Sequence, residues 1–364
     1  YTLAVTANYA PGLTPEQVAE RHRGYGAAVS AKLPPECLRP DQLPQRRRAA
    51  GELMRVGFLT PDVRDHSVAS FLLPLLSALC DDPAACGIQP SLYFTSPFGD
   101  TITQRFRQLL TDFIDCGALS DRELIRRVRA DQLDILIDCA GLFDGGRPSA
   151  LAVRMAPLQV TWLGYPNTTG LPNMDVRLVD ALTDPPGAEA LATERLVRLD
   201  GCFVCWQSRH DVPLPQRDPL DSDRPITFGS FNALSKVHDE LLALWAKLLL
   251  RVPHSRLLLK AGPLADADIA ADIRGYFEEM GIEGSRIALH SQTASQQEHL
   301  ARYGEVDIAL DTFPYNGTTT TCEALWMGTP VVTLAGQGHP ARVGLTLLTA
   351  AGLTRHIAAT HEDY

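Results

Sequence analysis

The chain has 364 residues, of which 45% are hydrophobic and 21% are charged, and its formal net charge is −10. This balance is typical of a globular protein with two or three domains, and the acidic charge disfavours nonspecific binding to nucleic acid or to an anionic membrane. No apolar run reaches about 18 residues, so we expect no membrane span. The eight cysteines form no disulfide framework, which favours a reducing, cytoplasmic compartment.

The first 50 residues differ in pattern from the rest of the chain. Tyr1–Asn8 fits the end of a helix, and Thr14-Pro15 is a typical start of a second helix that runs to Ser30. Prolines and three consecutive arginines in residues 33–48 predict a linker. Because the chain has no initiator Met, we expect it to be a fragment of a longer protein.

Two alternations of short apolar runs and helical segments fill the remainder. The first set of predicted strands is Arg55–Leu59, Ser91–Thr95, Leu133–Ile137, Gln159–Leu163 and Val176–Val179. The second set is Ile226–Phe231, Arg256–Leu259, Arg286–Leu289, Asp307–Leu310 and Val331–Leu334. Such alternation implies parallel sheets covered by helices on both faces. A polar, proline-rich stretch, residues 207–225, separates the two sets.

The sequence therefore predicts an α/β protein with two doubly wound domains, residues 51–215 and 216–364, preceded by a helical linker, residues 1–50. Ligands bind such sheets at the carboxyl ends of the strands, and we expect the site in the cleft between the domains. No G-x-G-x-x-G follows a predicted strand, which disfavours a dinucleotide dehydrogenase. No Walker P-loop is present either.

The most informative stretch is Leu310–Pro330, with the sequence LDTFPYNGTTTTCEALWMGTP. A buried strand ends at its start, a turn follows, and a helix is predicted to begin among the four threonines at positions 318–321. Thr320 and Glu323 have the spacing of a capping box, and Gly328 is expected to end the helix. Four threonines exceed what a cap needs, so this helix start is a candidate phosphate site.

Three further loops follow predicted strands and carry polar residues. His66 lies where a helix starts after the first strand, either as a solvent-facing residue or as a group in the site. Lys236 precedes a helix, where a cation is disfavoured by the helix dipole unless an anion binds beside it. Residues 164–170 form a polar loop bounded by glycines, which allows close approach to a ligand.

The sequence gives little support for a metal site. Asp221-Ser222-Asp223 lies in the proline-rich linker, and Asp266-Ala267-Asp268 starts a helix, where acids are favoured anyway. Cys202 and Cys205 have half of a zinc-ribbon spacing, but no second pair follows.

Together these segments resemble the catalytic region of O-linked N-acetylglucosamine transferases, glycosyltransferase family 41, in particular bacterial homologues. The resemblance spans nearly the whole chain, and its most specific motifs are GYPNTTG, FNALSK and DTFPYNGTTTTCEALWMGTP. The start of the chain resembles the segment that joins the family's tetratricopeptide array to its catalytic region. The resemblance implies a GT-B fold, UDP-N-acetylglucosamine as donor with UDP as product, no metal or other cofactor, and inversion at the anomeric carbon. It also implies protein or peptide acceptors with Ser or Thr, neither nucleic acid nor membrane as partner, and allows a homodimer through upstream repeats.

The resemblance also assigns roles to residues. Lys236 would contact the diphosphate and His66 would lie beside the reacting sugar, with Glu323 on the ribose hydroxyls. The other residues carried over are Thr318, Thr319 and Thr320 for the phosphates, Ala294, His299 and Arg302 for the uridine, and Leu163, Gly164 and Tyr165 for the sugar.

Four positions depart from the family pattern. Ala233 stands where the animal enzymes have Gln, Gln296 replaces a Lys in the uridine segment, Thr318 replaces a His, and Asp134 replaces a His near Asp131. These changes bear on the preference for the nucleotide base, on the affinity for the donor and on the activation of the acceptor. The proton acceptor is open among His66, Asp131, water and the phosphate. Protein O-GlcNAc transfer is the leading interpretation; a GT-B enzyme with another sugar or acceptor and a sugar-nucleotide-binding scaffold with little turnover are the alternatives.

Overall fold

The structure is a computed structural model that describes residues 1–34, 43, 48–215 and 224–364. These residues form two compact units, one made of Tyr1–Asn8 with Gly12–Gln207 and the other of Tyr9–Pro11 with Ser208–Tyr364. Much of the two predicted linkers, together with Cys37 and the Asp221-Ser222-Asp223 triplet, lies outside the described residues.

A seven-stranded parallel sheet organises the first unit, with the strand order β3-β2-β1-β4-β5-β6-β7. The strands are β1 (Met54–Thr60), β2 (Ile88–Phe94), β3 (Phe113–Asp115), β4 (Ile135–Asp138), β5 (Leu158–Thr161), β6 (Val176–Asp180) and β7 (Arg195–Leu199). The helices are α1 (Thr2–Ala7), α2 (Pro15–Ser30), α3 (Ala69–Asp81), α4 (Pro83–Cys86), α5 (Thr101–Leu109), α6 (Asp121–Ala130) and α7 (Pro148–Leu151).

A six-stranded parallel sheet organises the second unit, with the order β10-β9-β8-β11-β12-β13. The strands are β8 (Ile226–Ser230), β9 (Ser255–Lys260), β10 (Ile287–His290), β11 (Ile308–Leu310), β12 (Val331–Leu334) and β13 (Ile357–Ala358). The helices are α8 (Asp239–Arg251), α9 (Ala267–Glu279), α10 (Gln296–Ala301), α11 (Thr319–Trp326) and α12 (Val343–Ala350). In each sheet the chain first adds strands on one side of its first strand, β1 or β8, and then adds the later strands on the other side. This change of direction is typical of Rossmann-type folds and confirms the predicted fold class.

The second sheet is buried on both faces, and successive residues of β9 show why. Leu257 and Leu259 pack with Trp245 and Phe277 in one apolar cluster, whereas Leu258 packs in another cluster. Side chains of a strand alternate between the two faces, so a continuous apolar run serves two helical layers at once. Short continuous apolar runs in the sequence therefore predict the strands of this sheet.

Two strands of the first sheet were not predicted. β3 has only three residues, and the sequence of β7, RLVRL, interrupts its apolar residues with arginines. Both lie at the edges of the sheet, where strands are short and carry polar residues. Within the described part of the chain, no helix has the length and apolarity that a membrane crossing requires.

Helix α2 belongs to the first unit and packs on the loop after β5. Thr14 and Gln17 form a capping box at its start, with Pro15 in the first turn as expected. Gly26 and Gly170 meet backbone to backbone: a Cβ added at Gly26 would lie 1.7 Å from the carbonyl oxygen of Gly170. A side chain at either position would therefore separate the helix from the loop.

Candidate functional site

Lys236 lies in the second unit, in a 3-10 turn between β8 and α8. Its Nζ donates a hydrogen bond of 2.8 Å to the backbone oxygen of Asn316 and lies 3.9 Å from the centroid of the Tyr315 ring. Burial lowers the pKa of Lys236 to about 8, and the opposing charge of Asp311 limits the decrease. A cation thus lies beside the loop that leads into α11.

Asp311 shapes that loop. It follows β11 directly, and its buried carboxylate accepts hydrogen bonds from Gly317 N at 2.6 Å, Thr312 N at 2.9 Å and Thr333 Oγ1 at 2.7 Å. Burial raises the pKa of Asp311 to about 6, although these hydrogen bonds and Lys236 favour the charged form. The carboxylate therefore fixes the path of residues 311–317 and the position at which α11 begins.

The start of α11 has the features of an anion site. The first-turn N–H groups of a helix lack acceptors within the helix, and the N-cap residue Thr318 makes no side-chain hydrogen bond to them. Thr318, Thr319 and Thr320 are partly exposed, whereas Thr321 is buried and donates to Gly317 O. The predicted capping box was wrong, because Thr320 lies within the helix and Glu323 has other partners. The start of α11 is therefore a helix N-terminus without a side-chain cap that carries three partly exposed threonines.

Glu323 is the centre of a second cluster in the same unit. Its Oε1 accepts a hydrogen bond of 2.7 Å from Gln296 Nε2, and its Oε2 lies 3.0 Å from His299 Nε2. Lys260 Nζ in turn lies 2.8 Å from His299 Nδ1. Lys260 is not among the predicted site residues, although it ends a strand at the carboxyl edge of the sheet, and that position is the signal that could have identified it.

The other two predicted uridine residues lie on the same short segment. Ala294 is exposed, and its N–H donates to Glu298 Oε2 at 3.2 Å. Arg302 follows α10 and pairs with Glu305 at 2.9 Å. Of the three residues, His299 is the one that contacts Glu323.

His66 lies in the first unit, in the loop between β1 and α3. Its Nδ1 is 3.5 Å from Asp62 Oδ1 and accepts a hydrogen bond of 3.3 Å from Val68 N. Burial raises the pKa of Asp62 to about 6, with Arg64 opposing the increase and Asp144 adding to it. The half-exposed imidazole thus lies beside a nearly buried carboxyl group.

A second buried carboxyl group, Asp138, ends β4, the strand next to β1. It accepts hydrogen bonds from Ala140 N at 3.2 Å and Gly141 N at 2.8 Å. Burial raises the pKa of Asp138 to about 7, those hydrogen bonds lower it, and the charge of Asp62 adds to the increase. Asp138 is not among the predicted site residues, although its position at the end of a strand could have identified it.

Asp131 is not brought together with His66. It follows α6 and precedes β4, so it lies at the amino edge of the sheet, whereas His66 follows the carboxyl end of β1. Its carboxylate accepts hydrogen bonds of 2.8 Å from Tyr93 Oη and from Arg127 Nε. Asp134 lies at the same amino edge, where its Oδ2 accepts from Arg55 N at 2.9 Å.

The predicted sugar loop follows β5 at the carboxyl edge. Leu163 adopts a left-handed backbone with φ 74°, and a Cβ at Gly164 would lie 1.8 Å from the Cys139 carbonyl oxygen. The Tyr165 side chain is buried, and its hydroxyl contacts His22 Nε2 at 2.6 Å and Asn8 Nδ2 at 3.1 Å. The hydroxyl of Tyr165 therefore anchors the loop to the N-terminal helices.

No group of three or more metal-ligating side chains is placed to hold an ion in residues 1–34, 43, 48–215 and 224–364. Asp266 of the described Asp-x-Asp triplet is the N-cap of α9 and accepts from Asp268 N at 2.9 Å and Ile269 N at 3.4 Å. Its carboxylate serves the helix start, as the sequence suggested.

Comparison with known proteins identifies the relatives of this chain. The sequence profile of glycosyl transferase family 41 matches residues 37–214 and 207–364. The Arabidopsis thaliana protein named "Probable UDP-N-acetylglucosamine--peptide N-acetylglucosaminyltransferase SPINDLY" is 35% identical over 96% of this chain. The protein named SEC from the same plant, with the same enzyme description, is 28% identical over 93%. The chain spans 38% of the length of the first relative and 35% of the second.

A solved structure is similar to this chain in both sequence and fold. A mutant of the Thermobaculum terrenum O-GlcNAc transferase is 35% identical, with a TM-score of 0.88 over 100% of this chain and 67% of that protein. The likeness confirms the expected GT-B type of fold, with two Rossmann-like domains.

Proposed function

Because this chain belongs to glycosyl transferase family 41, we propose that it is the catalytic region of a protein O-GlcNAc transferase. It would transfer N-acetylglucosamine from UDP-N-acetylglucosamine to Ser or Thr hydroxyls of proteins or peptides, with inversion and without a metal. The names of the relatives support both substrates.

The observation that carries this proposal is that Lys236 bonds the loop leading into α11, whose N-terminus has no side-chain cap. When the glycosidic bond to the diphosphate breaks, negative charge develops on the leaving phosphate. A lysine and a helix N-terminus, both already oriented, stabilise that charge in the way that a divalent cation does in other transferases. Thr318, Thr319 and Thr320 add hydroxyl donors, and the net acidic charge of the chain makes a local cation necessary.

The second cluster fits the nucleoside. Glu323 offers a carboxylate to the two ribose hydroxyls, a common use of an acid beside a nucleotide in Rossmann-type folds. We assign the uracil to the neighbouring segment that contains Ala294, His299 and Arg302. The sugar would contact the backbone of Leu163 and Gly164.

We place the acceptor beside His66. A Ser or Thr hydroxyl is a weak acid and needs a group that takes its proton during attack. The half-exposed imidazole beside Asp62 is suited either to take that proton or to orient the sugar. Asp131 is less suited to this task, because it lies at the amino edge of the sheet and is engaged by Tyr93 and Arg127.

Incubation of the chain with UDP-N-acetylglucosamine carrying a labelled sugar and a mixture of proteins, followed by mass spectrometry, tests the proposal. We expect modified Ser and Thr residues with a β-linked sugar, and activity that persists in EDTA. Donor hydrolysis without protein labelling would favour another acceptor. UDP binding without turnover would favour a binding scaffold, and rescue of EDTA-treated protein by Mn²⁺ or Mg²⁺ would overturn the metal-free mechanism.

A further inference from the structure

Two adjacent residues of the loop that leads into α11 contact the ammonium of Lys236. Its Nζ donates a hydrogen bond of 2.8 Å to the carbonyl oxygen of Asn316 and lies over the Tyr315 ring, 3.9 Å from the ring centroid. A cation within about 6 Å of a ring centroid is attracted by the negative face of the ring. The Tyr315 ring is therefore a second partner of the ammonium, beside the carbonyl group.

The backbone that carries these two partners is itself fixed by hydrogen bonds. Asn316 is fully buried, and its N–H donates to the carbonyl oxygen of Pro340 at 2.8 Å. Its side chain donates to Thr312 O at 2.7 Å and accepts from Gly344 N at 3.1 Å. Thr312 Oγ1 in turn donates to the carbonyl oxygen of Tyr315 at 2.7 Å. The ring and the carbonyl group are therefore presented to Lys236 by a rigid segment.

A second aromatic ring packs against that of Tyr315. Tyr9 belongs to the same unit, and the two ring centroids lie 4.9 Å apart at an interplanar angle of 47°. The Tyr315 side chain is 8% exposed, and two packed aromatic rings attract each other. Packing on Tyr9 therefore helps to keep the Tyr315 ring in the position at which it contacts Lys236.

Both partners of the ammonium are uncharged, which suits a site for an anion. A carboxylate in contact with Lys236 would offset its charge and repel a diphosphate, whereas a ring and a carbonyl group carry no net charge. The charge of Asp311 acts on Lys236, but the Asp311 carboxylate accepts hydrogen bonds from Gly317, Thr312 and Thr333. Since an ammonium has three N–H donors, one donor remains beyond those directed at the carbonyl group and the ring.

We propose that Tyr315 is a positioning residue of the diphosphate site: its ring face, together with the Asn316 carbonyl group, holds the Lys236 ammonium ready for a phosphate oxygen. The inference rests on the proposed function, in which Lys236 binds the diphosphate. A lysine carries its ammonium on a flexible four-carbon stem, so only the molecules in which that stem is ordered are ready for the ligand. Contact with the ring increases this fraction before UDP binds.

Weakening the ring face should therefore weaken UDP binding while the shape of the site is kept. Tyr315→Phe retains an aromatic ring and is the reference. Fluorine atoms added to that ring withdraw electrons from its face and change its size little, so its attraction for a cation falls as their number increases. We expect the Kd for UDP to rise with each added fluorine. For the fully fluorinated ring it should be about three- to tenfold higher, the scale of ordering one flexible side chain.

Calorimetric titration with UDP measures this series, with phenylalanines of increasing fluorine content incorporated at position 315. Tyr315→Leu, which removes the ring face altogether, should have a Kd at least as high as that of the fully fluorinated variant. Phe277 is the control position, because its ring is buried in an apolar cluster of the same unit. Full fluorination of Phe277 should leave the Kd unchanged. An equal rise at Phe277 would assign the effect to the bulk of the fluorines and overturn the inference.

The same ring series in a Lys236→Met chain assigns the effect to the ammonium. Methionine has no charge for the ring face to attract, so the Kd should no longer depend on fluorine number. A dependence that persists in Lys236→Met would overturn the inference, and so would equal Kd values for Tyr315→Phe and its fully fluorinated counterpart. Both results leave the proposed function intact if UDP binds. A wild-type chain that does not bind UDP would overturn the proposed function and the inference with it.

Discussion

The Nε2 atom of His22 on α2 lies 2.6 Å from the hydroxyl of Tyr165 in the loop after β5. His22 Nδ1 lies 2.7 Å from the carbonyl oxygen of Val18, which can only accept, so the ring carries its proton on Nδ1. Nε2 must then accept from Tyr165, whose oxygen in turn accepts from Asn8 Nδ2 at 3.1 Å. Burial lowers the pKa of His22, consistent with a neutral ring. This row of hydrogen bonds holds the loop after β5 against the N-terminal helices.

Tyr165→Phe should destabilise the first unit. The change removes the hydroxyl that donates to the buried His22 Nε2, which costs about 1–3 kcal/mol, whereas Asn8 Nδ2 keeps its hydrogen bond of 3.2 Å to Val5 O. Thermal denaturation should show a lower Tm. Tyr25→Phe is the matched control, because Tyr25 is a half-buried tyrosine on α2, and its Tm should change little. A Tyr165→Phe Tm equal to that of the wild type would show that the hydroxyl contributes nothing to stability.

Asp138 should make the stability of the first unit depend on pH. Burial raises its pKa to about 7 in the folded chain, from an ordinary value of 3.8. Between those values the folded state binds the proton more tightly than the unfolded state, so this group favours folding increasingly as the pH falls. In Asp138→Asn this contribution disappears. Compared with the variant, the wild type should gain stability from pH 8 to pH 5, as measured by Tm at each pH; parallel curves would contradict the assignment.

Lys236 should control activity at high pH. Burial lowers its pKa to about 8, and kcat/KM reports the ionisation of groups of the free enzyme. We therefore expect kcat/KM for the donor to decrease above pH 8 as the ammonium is lost. Lys236→Arg should show a low kcat/KM, because a planar guanidinium does not replace a compact ammonium, but without this decrease. An Arg variant that declines in parallel with the wild type would assign the titration to another group.

Lys236→Ala should decrease kcat/KM by about 10²-fold or more, the scale for loss of one preorganised electrostatic donor. Part of the decrease should lie in kcat, because the phosphate charge that Lys236 neutralises grows as UDP leaves. Steady-state kinetics with Lys247→Ala as the control measure this. Near wild-type kinetics would leave the start of α11 as the diphosphate anchor.

His66→Ala should separate turnover from nucleotide binding. His66 contacts Asp62 in the first unit, and the proposed UDP ligands lie in the second unit. Turnover should therefore fall strongly while UDP affinity, measured by calorimetry, stays within a few-fold of the wild type. A large loss of UDP affinity would move His66 into the nucleotide site and end its assignment to the acceptor.

The sequence determined the parts of this protein that depend on order along the chain. Apolar runs spaced by helices require parallel sheets, and a residue that follows a strand in such a sheet must lie at its carboxyl edge. That rule placed His66 and Lys236, and it would also have placed Lys260 and Asp138. Applied to Asp131, which precedes a predicted strand, it would have assigned that residue to the opposite edge.

The tertiary structure decided which of these side chains meet. Lys260, His299 and Glu323 belong to three different elements, and their contacts depend on distances that sequence order does not encode. The same holds for Tyr165. A tyrosine in a polar loop is expected to contact a ligand, whereas in the structure its buried hydroxyl bonds His22. Hydrogen bonds and burial act over a few ångströms, so only the folded chain assigns partners to polar groups that lie far apart in sequence.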